Sequence, residues 1–238
     1  MTNTLQKTIN FIRPFCRYQE ANIGTDGEPI LSIATIVRNI MLAAPFTWSW
    51  NRANVNLTGP VQQGTQDYEQ EIDDFGFIEK ASADDGNRIW EIEDVKNNEG
   101  LAQTDTEARP GSIAVQEDDG DGTITFRLSA VPNANYTINV VYQKEPVPFT
   151  ATTSSWAPVP DSMSDVYNNM VLGYYMDSCQ DPRGPQYISR GIAGLLARAV
   201  GLSDTDKAIF ASSYMSYEAA QMMNSLRTQQ GSQAQAAR

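Results

Sequence analysis

The chain has 238 residues, 41% of them hydrophobic, and 17 basic against 29 acidic side chains, a formal net charge of -12. This length and hydrophobic fraction suit one large or two small packed domains and exclude wholesale disorder. Histidine is absent, which excludes Ser-His-Asp and Cys-His machinery and any His-ligated zinc, haem or non-haem iron.

Chemistry is left to carboxylates, lysines, tyrosines and two thiols. Cys16 and Cys179 stand far apart and outside any CxxC pair, so both are expected reduced. No apolar run reaches the ~18 residues that a membrane span needs. Met1 to Lys7 lacks the charged, apolar, small-residue order of a secretory signal.

In chain order, the N-terminal part reads as helical. Leu5 to Ile12 predicts a short helix ended by Pro14, and Asn22 to Pro29, with Gly24 and Gly27, predicts a loop. From Ile30 to Ala44, apolar residues recur at Ile30, Ile33, Ala34, Val37, Ile40, Met41 and Ala44, a wide helical stripe with Pro29 in its first turn and Pro45 at its stop.

From about Ala53 to Pro148 the period becomes two. Asn54–Leu57, Ile89–Glu93, Thr123–Leu128 and Tyr136–Tyr142 alternate as strands. Gly59-Pro60, Asp85-Gly86, Pro110-Gly111 and Asp119–Gly122 supply turns. These predict roughly five to seven short antiparallel strands in a small sandwich or open barrel.

Helical spacing returns after Pro160. Asp161 or Ser164 caps a helix to about Cys179, Asp181–Pro185 breaks it, and Gln186–Val200 forms a second helix closed by Gly201. Ser203, with Asp206 three places on, resembles a capping box and opens a third helix to about Leu226. Arg227–Arg238 holds no large apolar group and cannot pack a core alone.

The expected class is therefore α+β: a helical bundle of N-terminal helices plus three C-terminal ones, interrupted by an antiparallel β insertion. The domains run 1–52 with 155–226, then 53–150, with a flexible tail at 227–238. Charge follows the same division. Gln66 to Gly122 holds 18 acids against Lys80, Arg88, Lys96 and Arg109, a net of -14.

Among local motifs, Glu117, Asp119 and Asp121 before Gly122 imitate the first half of a calcium loop. The twelfth position is Leu128 instead of a bidentate Glu, and the flanks are strands, so an acidic hairpin turn is the default. Asp73-Asp74 or Glu91 with Glu93 have the composition of a glycosidase pair, but alternating acids read first as a solvated face, and no enzyme is expected. Phe46-Thr47-Trp48-Ser49-Trp50 is either a stacking platform or packing where a helix meets the sheet. Tyr174-Tyr175-Met176 and Tyr214–Tyr217 have the spacing of core or subunit contacts. Clustered Lys and Arg for phosphate binding are missing, and the acidic middle repels DNA. A passage for DNA benefits from such a surface.

The order of features resembles the head-to-tail adaptor (connector) proteins of short-tailed bacteriophages. The likeness runs from about Ile30 to Tyr217. It comprises the apolar helix leading into Phe46–Trp50, then Gly64–Tyr68, Phe75–Ala81, Ile124–Leu128, Pro132–Ile138, Tyr142–Pro146 and Pro158–Met163, with Phe210 and Tyr214 in the last helix.

This resemblance implies a structural, non-catalytic virion protein of the neck, assembled in the host cytoplasm without cofactor or metal. It implies a ring of roughly twelve copies that joins the portal to the tail nozzle or fibres and lines the DNA passage without reading its sequence. On this reading Glu117, Asp118, Asp119 and Asp121 face the lumen or nozzle, and Arg227, Thr228, Gln229, Gln230 and Arg238 dock on the portal. The competing readings are a carbohydrate- or host-binding virion module using the β insertion, and a peptidoglycan-degrading tail protein acting through paired carboxylates.

Overall fold

The computed structural model describes residues 4–15, 28–57, 65–96, 101–146, 148–151 and 153–215. The chain divides into two compact units, one drawn from 1–50 and 147–238, the other from 51–146. The class is mixed α+β, with five α-helices among the described residues and a large curled sheet.

In the first unit, α1 (Leu5–Ile12) buries Leu5, Thr8, Ile9 and Ile12, the i, i+3, i+4, i+7 stripe of an amphipathic helix. A 3₁₀ turn, Arg13–Phe15, takes the chain through Pro14. Helix α2 (Glu28–Met41) begins two residues earlier than its periodicity predicts, with Pro29 in its first turn. It also ends three residues earlier. Leu42 and Ala43 donate to Asn39 and Ile40, three residues back, as the last turn tightens ahead of Pro45. The Ala43 carbonyl instead accepts from Trp48 Nε1 at 3.2 Å.

Helix α3 (Ser164–Ser178) follows a 3₁₀ turn at Asp161–Met163, and α4 is Gly184–Arg198. Gly184 and Pro185, read from sequence as part of a break, form the first turn of α4, where a proline loses no hydrogen bond. A Cβ on Gly173 would stand 2.6 Å from Ile188 N, and one on Gly191 2.2 Å from Met170 Cγ. The two helices therefore approach closer than any side chain at these points allows.

Helix α3 ends in a Schellman motif. Gln180 N–H donates to Asp177 O and Asp181 N–H to Met176 O, both at 2.9 Å, with Gln180 at φ 58° where glycine is usual. The expected glycine stop at Gly201 is not of this kind. Ala199 ends α4 at φ -78°, ψ 76°, and Gly201 is not among the positive-φ residues.

Helix α5 (Asp204–Tyr214) is capped by Ser203, whose Oγ accepts from Asp206 N–H at 3.1 Å. The Asp206 carboxylate in turn accepts from the Ser203 hydroxyl at 2.6 Å. The predicted extension to Leu226 lies outside the described residues beyond Met215. This unit's core joins all five helices around Trp48, Trp156, Tyr167 and Phe210.

In the second unit, a seven-stranded sheet has the order β1-β9-β3-β4-β6-β7-β2. Its strands are β1 (Arg52–Asn56), β2 (Asp67–Glu71), β3 (Phe75–Asp84), β4 (Ile89–Asp94), β6 (Ser112–Asp118), β7 (Thr123–Leu128) and β9 (Thr137–Lys144). The two-residue strands β5 (Glu107–Ala108) and β8 (Val131–Pro132) form a separate parallel pair.

Pairing in the main sheet is antiparallel except between β4 and β6, where Glu93 faces Ser112 and Asp94 faces Ile113 in parallel. That corrects the wholly antiparallel expectation. The stretch from Asp94 to Ser112 exceeds the dozen or so residues that a parallel crossover needs. The inner face carries Ile78, Ala81, Ile92, Ile124, Phe126, Leu128, Ile138 and Val140. Phe75 meets Phe126 edge-on at 5.6 Å and Tyr142 at 5.4 Å, so the curled sheet closes on its own core.

Candidate functional site

Charge separates the two units. The segments 1–50 and 147–238 carry ten basic and ten acidic residues, whereas 51–146 carries seven basic and nineteen acidic, which is the whole net charge of -12. The candidate site is therefore a surface, and the local chemistry decides which acids belong to it.

Many acids fold the chain. Glu117 and Asp118 end β6 and are exposed, as are Asp119 and Asp121 in the turn to β7. Asp118 Oδ1 accepts from Gly120 N–H at 3.0 Å. Asp119 Oδ1 accepts from Asp121 N–H at 2.8 Å and Thr123 N–H at 3.0 Å, and these bonds hold its carboxyl below the usual range. Gly120 and Gly122 take φ 75° and 91° to close the turn. The half-calcium-loop spacing is thus the signature of an Asx-built hairpin. Among the described residues no group of three or more His, Cys, Asp or Glu could hold a metal. Asp85 repeats the device, accepting from Asn87 and Arg88 N–H at 2.9 and 2.8 Å, which lowers its pKa.

Other acids tie strands together. Asp67 holds Arg127 through two bonds of 2.6 and 2.8 Å, joining β2 to β7. Glu79 accepts from Arg52 Nε at 2.7 Å, joining β3 to β1. Asp74 pairs with Lys144 and accepts from Tyr142 Oη–H at 3.1 Å. Burial first, and Asp74 second, push the Tyr142 phenol up to about 12. Of the four carboxylates read as catalytic pairs, Asp74 is committed to this cluster, and Glu91 and Glu93 lie exposed on one face of β4. In the helical unit, Asp165 binds Arg198 by bonds of 2.6 and 2.8 Å between α3 and α4, which lowers the Asp165 pKa.

The aromatic run 46–50 connects α2 to β1 in the chain, and its rings pack within the core of the helical unit. Phe46 and Trp48 pack edge-on against Phe210 of α5 at 5.2 and 5.4 Å, and Trp50 stacks on Trp48 at 5.2 Å. A Pro-broken helix followed by Trp-Ser-Trp reads alike for a stacking platform and for packing, because only the tertiary contacts choose between them. Trp156 lies on Tyr167 at 4.5 Å. Trp90 is covered by the Arg109 guanidinium at 3.4 Å, meets Tyr136 edge-on at 5.5 Å and donates to Pro110 O at 3.1 Å. Each tryptophan thus has a ring contact within the chain, so none is a bare platform. On the outer face of β3, β4 and β9, Lys80, Ser82, Ile89, Glu91 and Asn139 line an open groove of about 400 Å³. Ile89 is the exposed apolar residue of that lining.

Arg227, Thr228, Gln229, Gln230 and Arg238 lie outside the described residues, as does Cys16, while Cys179 is exposed at the end of α3. The sequence reading missed a cluster of half-exposed aromatics, Phe11, Phe15 and Tyr187. The signal for it was present: Phe11 and Phe15 are four residues apart beside a helix with no acid.

Residues 33–238 match the family model described as SU10 adaptor protein, and no curated protein matches the chain.

Proposed function

We propose a role from one premise: the chain belongs to the SU10 adaptor protein family. The protein is a structural component of a bacteriophage neck. Its copies close a ring of roughly twelve that joins the portal to the tail nozzle or fibres and surrounds the DNA passage. The helices, 1–52 with 155–226, act as a bundled domain. The insertion, 53–150, acts as a second domain. The segment 227–238 docks on the portal and orders there, since a partner's groove offsets the ordering entropy of ~1 kcal/mol or more per residue.

The observation that carries this reading is the extent of the family match. Residues 33–238 include most of the helical unit and all of the sheet, so the likeness concerns the helix–sheet–helix order as a whole. Charge supports the passage. A sheet unit of net -12 repels phosphate over ~8 Å at physiological salt. The exposed Glu117, Asp118, Asp119 and Asp121 belong to that field.

The reading is tested by mixing the purified chain with isolated portal rings and weighing the product by native mass spectrometry. A portal complex carrying a full complement of this chain is expected. A chain that never joins the portal contradicts the role.

A further inference from the structure

The acids of this chain are unevenly placed even within the helical unit. Thr4–Phe15 contains none, and neither does α4, although the chain has 29. These two acid-free stretches share an exposed aromatic cluster. Phe11 and Phe15 are 38% and 40% exposed, with ring centroids 5.6 Å apart. Phe15 meets Tyr187 of α4 edge-on at 6.4 Å. Arg190, exposed on the next turn, lies 5.9 Å over the Tyr187 ring, and no carboxylate among the described residues pairs with it.

Half-exposed phenylalanines cost solvation in an isolated subunit. Aromatic residues with arginine are also the composition of the energetic centre of protein interfaces. Burial of Arg190 against a partner would require a carboxylate there, because a buried unpaired guanidinium is strongly disfavoured.

We infer that this aromatic–arginine patch binds the acidic 51–146 surface of a second copy of the chain. The inference rests on the ring reading and gives the contact its chemistry. Charge complementarity favours this occupant. Each copy carries a patch built from two acid-free segments in its neutral unit and a net -12 in the other. Patch and target are different surfaces, so the contact is heterologous, the type that repeats head to tail and closes a ring when the rotation allows. Nucleic acid is the less favoured occupant, because phosphate binding needs several clustered cations and this patch centres on Arg190.

The test places a photo-reactive phenylalanine at position 15 of the full chain, in portal complexes assembled from equal parts of light and heavy-isotope subunits. Mixed-isotope cross-links from position 15 into 51–146 are expected. Arg190→Glu should weaken assembly by about tenfold or more without lowering the thermal midpoint of the isolated subunit, since the side chain is exposed. Cross-links to the portal, to DNA, within one copy, or to another copy's helical unit overturn the inference and leave the ring standing. Unchanged assembly of both Arg190→Glu and Phe15→Ser does the same. If the unsubstituted chain and portal give no ring at all, the ring reading fails instead.

Discussion

The helical unit and the sheet unit reach stability by opposite uses of composition. The helical unit is electrically balanced, and apart from ion pairs such as Asp165–Arg198 its contacts are steric: close helix approach at Gly173, Gly184 and Gly191, and rings against rings around Phe210. The sheet unit carries the whole net charge, yet spends many acids on structure, as turn acceptors at Asp85 and Asp119 and as strand ties at Asp67, Asp74 and Glu79. The lesson is that an acidic total does not measure an acidic site. The acids available for a partner are those left after the fold has used its share.

Two core substitutions should separate the units most sharply. Phe126→Ala removes a fully buried ring from the sheet core and should cost about 3–5 kcal/mol. Gly173→Ala forces a methyl against Ile188 N at 2.6 Å and should cost about 3 kcal/mol. Differential scanning calorimetry, with hydrogen exchange to assign each transition, should show each change confined to its own unit. Loss of both transitions together in either variant would break the comparison.

Acid should act next. Asp165 is held low by Arg198, Asp181 is held near 2 by Arg183, and backbone donors hold Asp85 and Asp119 low. For a depressed carboxylate the unfolded chain binds the extra proton. Its stabilisation is therefore complete above the unfolded value of about 4 and is lost as pH falls through the folded value. Asp94, raised by burial, acts in the opposite sense. Thermal midpoints should fall between about pH 4 and pH 2, and Asp165→Asn should flatten that fall for the helical unit alone.

The smallest effects sit at helix ends. Ser203→Ala removes the acceptor for Asp206 N–H and should lower stability by about 1 kcal/mol in urea titration. Gln180→Gly relieves a left-handed residue and should raise it by about 0.5–1 kcal/mol.

Strong periodicity was legible. Helix α2 and strands β4, β7 and β9 lie within a few residues of their predicted places, because each presents one apolar face with little interruption. Strands β2, β3 and β6 were not read. In β2 the buried face is Tyr68 and Gln70, so polarity hides the alternation. Register shifts between Phe75 and Phe77, Ile78 and Lys80, and Val115 and Glu117 break the period of two in β3 and β6. Gly184 read as part of a break, and Gly173 and Gly191 lay unmarked inside predicted helices, because close helix approach leaves no mark in a single sequence. The acidic turn was legible as a turn, since Asp-Gly-Asp-Gly carries both the acceptors and the positive-φ residues it needs. The aromatic patch was obscured because Phe11 and Phe15 are separated in sequence from Tyr187 and meet it only in the fold.

The central claim is tested most directly by a reconstruction of the virion neck at side-chain resolution. The account predicts a closed ring of this chain against the portal, with Glu117, Asp118, Asp119 and Asp121 facing the DNA passage or the tail side. A neck without this chain, or isolated copies at the tips of fibres, would contradict it.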